Sequence, residues 1–129
     1  IPMYSHTTLG TNNVTRAAAF YDRLMAILGH ERFFFDAETG IGYGDLKGEQ
    51  FWIVAPFDGE RATAGNGVHI AFLTQDRATV EAFHEAALEE GGEDEGQPGL
   101  RAQYHPNYYG AYVRDPEGNK LQAVCHKAE

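Results

Sequence analysis

At 129 residues the chain is long enough for one domain with its own core and too short for two ordinary domains. Apolar residues make up 43% and charged residues 22%, both globular values, and no apolar run approaches the roughly 18 residues that span a bilayer. The formal charge of −9 and the scatter of the basic residues argue against a nucleic-acid partner, while acidity leaves room for a cationic ligand. Cys125 is the single cysteine, so no disulfide forms within the chain, which fits a reducing compartment. Ile1-Pro2-Met3 opens without the charged and apolar regions of a signal peptide, and a cytoplasmic protein without membrane contact is expected.

Tyr4 to Gly10 is rich in β-formers and is expected as a strand. Asn12 and Asn13 offer an N-cap, after which Ala17, Phe20, Tyr21, Leu24 and Leu28 recur at helical spacing until Gly29 stops them. Strands follow at Glu31 to Asp36, Ile41 to Leu46 and Gln50 to Pro56, with glycines at 40, 42, 44 and 48 marking the turns. Phe57 to Gly67 is the linker candidate. Val68 to Thr74 is again a strand and Asp76 again an N-cap. Val80, Phe83 and Ala87 then give an apolar helix face, with Glu81, Glu85 and Glu89 on the wet side. Gly91-Gly92 ends that helix, and Glu93 to Pro106 is expected as an irregular polar stretch. Asn107 to Arg114 and Lys120 to His126 are expected as strands around a turn at Asp115-Pro116-Glu117-Gly118.

The order of elements repeats, and so do residues. A shift of 63 aligns His6 with His69, Thr11 with Thr74, Ala19 with Ala82, Phe20 with Phe83 and Gly29 with Gly92, without a gap. These identities fall on strand, cap, helix face and stop alike. A shift of 70 then aligns Asp45 with Asp115, Gly48 with Gly118 and Val54 with Val124. The expected fold is therefore α+β, a single domain over residues 1–129 made of two tandem β-α-β-β-β modules at about 3–57 and 67–127.

Side chains alternate across a strand, so Tyr4, His6 and Thr8 share one face, as do His69, Ala71 and Leu73, and Gln122, Val124 and His126. The repeat pairs Gln122 with Trp52. Four equivalent positions emerge: His6 and Trp52 in the first module, His69 and Gln122 in the second. Two imidazoles and a carboxamide can supply three metal ligands; the competing reading is that each histidine is an ordinary strand residue. Tyr104-His105-Pro106-Asn107-Tyr108-Tyr109 is dense in aromatic and hydrogen-bonding groups, so Tyr104, His105, Tyr108 and Tyr109 are either substrate contacts or filling for a core. His84 and His30 are expected at the surface, and Cys125 in the core.

His6-Thr7-Thr8-Leu9-Gly10, Ala19-Phe20-Tyr21, His69-Ile70-Ala71-Phe72 and Asp115-Pro116-Glu117-Gly118-Asn119-Lys120-Leu121-Gln122 resemble the vicinal oxygen chelate superfamily. That superfamily holds glyoxalase I, fosfomycin-modifying enzymes, extradiol dioxygenases and bleomycin-binding proteins. The resemblance covers nearly the whole chain, and its most specific piece is the Asp-Pro-Glu-Gly-Asn turn. It implies paired modules whose mixed sheets curl into a cup, and a homodimer, often with the cup shared between chains. It also implies one divalent ion (Zn, Ni, Fe or Mn) on His6, His69 and Gln122, with Trp52 and the tyrosine-rich loop lining a pocket for a small substrate. Two departures stand out. Gln122 replaces the usual glutamate, removing the Coulomb attraction of a charged ligand. Trp52 occupies the place of an acidic ligand and base, and indole cannot abstract a proton. Two functions are open on this reading: a metal-dependent lyase, isomerase or dioxygenase acting on vicinal oxygens, and a metal-free protein that sequesters a drug as bleomycin-binding proteins do.

Overall fold

The computed structural model describes all 129 residues. Strand β1 (His6–Gly10) leads into helix α1 (Val14–Leu28) and strands β2 (Arg32–Asp36), β3 (Gly40–Gly44) and β4 (Gln50–Val54). The order then repeats as β5 (His69–Leu73), α2 (Arg77–Glu89), β6 (Glu93–Leu100), β7 (Tyr109–Arg114) and β8 (Lys120–Cys125). Residues 55–68, between the two sets, hold neither helix nor strand. The first four strands form a sheet in the order β1-β4-β3-β2, and the last four a sheet in the order β5-β8-β7-β6. In each, the first strand runs parallel to the last and the remaining neighbours are antiparallel. His6 and His69 are thus both the first residue of an outer strand. No helix is long and apolar enough to cross a membrane.

Local chemistry explains the helix limits. The Asn13 side chain accepts from the Arg16 backbone N–H, and Gly29 ends α1 at φ 88°, where a side chain would be strained. The Asp76 carboxylate accepts from the Thr79 N–H at 2.8 Å and caps α2 in the same way. Phe20, Tyr21 and Leu24 of α1 and Val80, Phe83 and Ala87 of α2 are buried against Ile41, Tyr43 and Ile53 on one sheet and Ala111, Val113 and Leu121 on the other. These belong to one core of 20 residues that runs through both modules. Each large side chain in it contributes about 1.5–3 kcal/mol of burial. Cys125 lies in this core, fully buried.

Two expectations need correction. Glu93 to Leu100 is not irregular but an edge strand, paired with β7 and interrupted by register shifts around Gly96 and Gly99. Its sequence lacks β-formers, and Pro98 is tolerated there because an edge strand has one row of N–H groups without a ladder partner. His84 is not a surface residue. It is 5% exposed, and its Nε2 meets the Asp94 carboxylate at 2.8 Å, so a partner on β6 allows an imidazole on the buried side of α2.

The turn between β7 and β8 joins the modules. Asp115 Oδ1 accepts from the backbone N–H groups of Glu117 and Asn119, each at 2.9 Å, and Oδ2 accepts from the buried Tyr21 hydroxyl of α1. Asn119 Nδ2 donates to the Gly10 carbonyl at 3.1 Å. Glu117 accepts from Asn12 at 2.8 Å and from the Arg16 guanidinium. Burial pushes the Glu117 carboxyl upward, but the hydrogen bonds from Asn12 and the charge of Arg16 outweigh it and hold it below the ordinary 4.5. A depressed carboxyl stabilises the fold above its unfolded value and loses that contribution as pH falls through the folded one. Glu117→Gln should therefore flatten the loss of stability below about pH 4.5 in denaturant unfolding. An acid slope identical to the parent's would show that the latch does not titrate.

Candidate functional site

Each sheet turns one face to the helices and leaves the reverse face uncovered. On the first sheet that open face carries His6 and Thr8 of β1, both exposed, and Gln50 and Trp52 of β4, both half-buried. On the second it carries His69, Ala71 and Leu73 of β5, all exposed, beside Lys120 and Gln122 of β8 and Tyr112 of β7. The open faces follow from alternation: the odd residues of β4 and β8, Phe51, Ile53, Leu121 and Ala123, are spent on the core.

His6 and His69 line one cavity of about 650 Å³, together with Ser5, Gln50 and Ala71. His6 Nδ1 stands 2.9 Å from the Ser5 hydroxyl, which orients the ring and leaves Nε2 open. The His69 ring meets Tyr112 edge-on, with centroids 5.7 Å apart. Gln122 does not line this cavity; it is fully buried beneath the open face. Its Nε2 donates to the Tyr108 hydroxyl at 2.7 Å, while Oε1 is buried without a partner. An orphaned buried amide oxygen costs about 1–3 kcal/mol unless something else satisfies it.

Trp52 sits over Gly42, where a Cβ would come within 3.0 Å of the indole, and its N–H donates to Gln50 Oε1 at 3.0 Å. Phe33 and Phe34 meet it at 5.4 and 5.6 Å, so this end of the first sheet is an aromatic wall. Tyr104, His105 and Tyr108 gather on the second sheet, Tyr108 packing 4.8 Å from Tyr104 and 5.5 Å from His105. Tyr109 lies elsewhere, on the helix side, with its hydroxyl donating to Glu81 at 2.6 Å. Tyr108 immediately precedes β7 and Tyr109 opens it, and their hydroxyls go to opposite sides of the sheet, to Gln122 and to Glu81.

Within a single chain His6 and His69 come to one cavity, and Gln122 and Trp52 lie on separate sheets away from it. Three further residues belong to the second sheet's open face. Lys120, beside His69 in the parallel register, sets its ammonium 5.0 Å above the Tyr112 ring, and Arg101 sets its guanidinium at 5.8 Å. Tyr112 itself is pushed up to about 12 by burial and by the neighbouring Tyr108 and Tyr104 hydroxyls, so it stays protonated at neutral pH. Sequence alone offered one cue for Lys120, its two-residue spacing from Gln122, and none for Arg101. His126 also joins, its Nδ1 lying 2.9 Å from His105 Nε2.

Comparison with known proteins agrees on the fold. The model of the Glyoxalase/Bleomycin resistance protein/Dioxygenase superfamily matches residues 4–123. A glyoxalase/bleomycin resistance protein from Albidiferax ferrireducens is 34% identical, covers 98% of this chain and all of its own, and superposes with a TM-score of 0.89. A lactoylglutathione lyase from Agrobacterium tumefaciens shares the fold at 21% identity, with 97% and 94% of the two chains covered and a TM-score of 0.65. The fosfomycin resistance protein FosX from Listeria monocytogenes does so at 20% identity, with 100% and 94% covered and a TM-score of 0.66. No curated protein matches the chain.

Proposed function

Because the chain belongs to the glyoxalase/bleomycin resistance protein/dioxygenase superfamily, we propose that it is a metal-dependent enzyme acting on a small substrate with vicinal oxygens. It works as a homodimer, with the open face of the first sheet of one protomer closing over the open face of the second sheet of its partner. One observation carries the reading: His6 and His69 occupy the same place in their modules, each exposed on the uncovered face of an outer strand. Outer strands β1 and β5 leave unpaired backbone groups, and exposed Phe34, Leu73 and Leu100 lie along the strands of the two sheets.

The donor set fits a divalent ion. His6 is oriented through Nδ1 and offers Nε2, His69 is exposed, and Gln122 holds an amide oxygen without a partner. When bound, the ion supplies Lewis-acid stabilisation of developing oxyanion charge. The protein's own residues do the rest. Tyr108 accepts from Gln122 and so keeps its own proton to donate, and protonated Tyr112 is a second donor toward a substrate oxygen. Trp52, with its N–H held by Gln50, is a wall that excludes water rather than a base.

Gln122→Glu tests this. If His6, His69 and Gln122 hold an ion, a carboxylate at the same place should strengthen zinc or nickel binding by about 1–3 kcal/mol, roughly ten- to a hundredfold. Without an ion the new carboxylate has no cation beneath Tyr108 and should cost stability. Melting of both forms with and without the metals separates the two. If neither ion shifts either melt, the metalloenzyme reading fails and a metal-free binding protein takes its place.

A further inference from the structure

Ten basic residues face nineteen acidic ones along this chain, and four of the ten pair with a carboxylate. Arg16, Arg23, Arg32 and Arg114 each have one within 4 Å. Arg101 does not. Its Nη1 and Nη2 donate to the carbonyls of Gly99 and Gln97, both at 2.8 Å, which fixes the guanidinium over the Tyr112 ring. The seat is shaped for it: a Cβ at Gly96 would come within 3.1 Å of Arg101 Nη2, and one at Gly99 within 3.2 Å of Nη1. Lys120 approaches the same ring and makes no ion pair within 4 Å. The acid Glu95 is engaged by Arg114. Two cations without carboxylate partners thus flank one aromatic ring, and His69 meets that ring edge-on.

An acidic protein that places two cations here gains nothing in solubility from them. It also holds them in place: ring stacking and carbonyl bonds order the guanidinium before any ligand arrives, so less freedom is lost when one binds. The remaining guanidinium N–H groups and the ammonium are donors without acceptors of opposite charge. Resting on the proposed site, we infer that the small molecule bound there carries a compact oxyanion, a carboxylate or phosphonate, recognised by Arg101 and Lys120. Its aromatic or apolar body lies against the wall of Trp52 and Phe34 contributed by the first sheet of the partner protomer. The cationic ligand that the overall charge of −9 leaves room for is disfavoured at this face, where two like charges stand beside Tyr112.

Calorimetric titration of the intact protein with benzoate, phenylphosphonate, benzamide and benzylamine tests the inference. The two anions should bind, benzamide at least about tenfold more weakly, and benzylamine more weakly still. Arg101→Gln and Lys120→Gln should each lower anion affinity about tenfold and leave benzamide affinity unchanged. Binding of an anion should also change the emission of Trp52, the only tryptophan. Equal affinity for benzoate and benzamide, preference for benzylamine, or variants that bind anions as the parent does would each overturn the inference. The zinc content of the same variants is measured in parallel. Anion binding that depends on Arg101 in a protein that takes up no metal would uphold the inference and defeat the metalloenzyme reading alone. Normal zinc uptake without anion preference would do the reverse.

Discussion

Asp115→Ala is expected to destabilise the protein by about 3–5 kcal/mol, lowering the melting temperature by about 12–20 °C for a chain of this length. The carboxylate satisfies four donors at once: the Glu117 and Asn119 backbone N–H groups, the Asn119 side chain and the Tyr21 hydroxyl. Tyr21 is fully buried, and Asp115 and Asn119 are 5% and 8% exposed, so water cannot replace what the substitution removes. Burial first, and then the Asp115 carboxylate, pushes the Tyr21 hydroxyl well above its ordinary value, so it remains a donor throughout the accessible pH range. Tyr21→Phe removes a single partner and should cost less, about 1–2 kcal/mol. Once Asp115 is gone, losing the Tyr21 hydroxyl should cost almost nothing, because the orphaned donor goes with it. Denaturant unfolding of the two single variants and the double variant measures this coupling. An Asp115→Ala protein within 1 kcal/mol of the parent, or purely additive costs, would show that the turn does not hold the modules together.

That turn was visible in the sequence as the most specific part of the family resemblance, yet its role was not. A linear pattern gives Asp115, Glu117 and Asn119 as turn residues; only the fold brings Tyr21, Asn12 and Gly10 against them in turn, 94 to 109 positions away in the chain. The duplicated order of elements was legible because it rests on local signals, the caps at Asn13 and Asp76 and the stop at Gly29 among them. Strand β6 was not, since tertiary pairing with β7 decides it against its own propensities. Within the strand expected over Asn107 to Arg114, alternation already sets neighbouring Tyr108 and Tyr109 on opposite faces, and their partners Gln122 and Glu81 lie so, although β7 itself starts at Tyr109. Arg101 could not: its position over Tyr112 depends on two glycines and a bulged edge that no periodicity marks. The charge total says little about this face for the same reason: −9 is a sum over the whole surface, whereas the charges beside Tyr112 are two cations.

Neither His6→Ala nor His69→Ala protein should bind zinc or nickel, each falling by more than a hundredfold, because a primary donor is worth more than the outer-shell contacts whose loss already costs ten- to a hundredfold. Co-expression of the two variants should restore part of the binding. If the ion sits between protomers, a mixed dimer has one site lacking both imidazoles and one site lacking neither. Random pairing makes half of the dimers mixed, so about a quarter of the parent's sites return. If His6 and His69 of the same chain share an ion through the cavity they both line, every site in every dimer lacks one imidazole and nothing returns. Metal content of the co-expressed protein, with each variant alone as the control, distinguishes the two geometries. A zinc content no higher than that of the single variants would rule out a site shared between protomers. The open faces on β1 and β5, turned away from a core that the two modules share within one chain, lead us to expect the quarter.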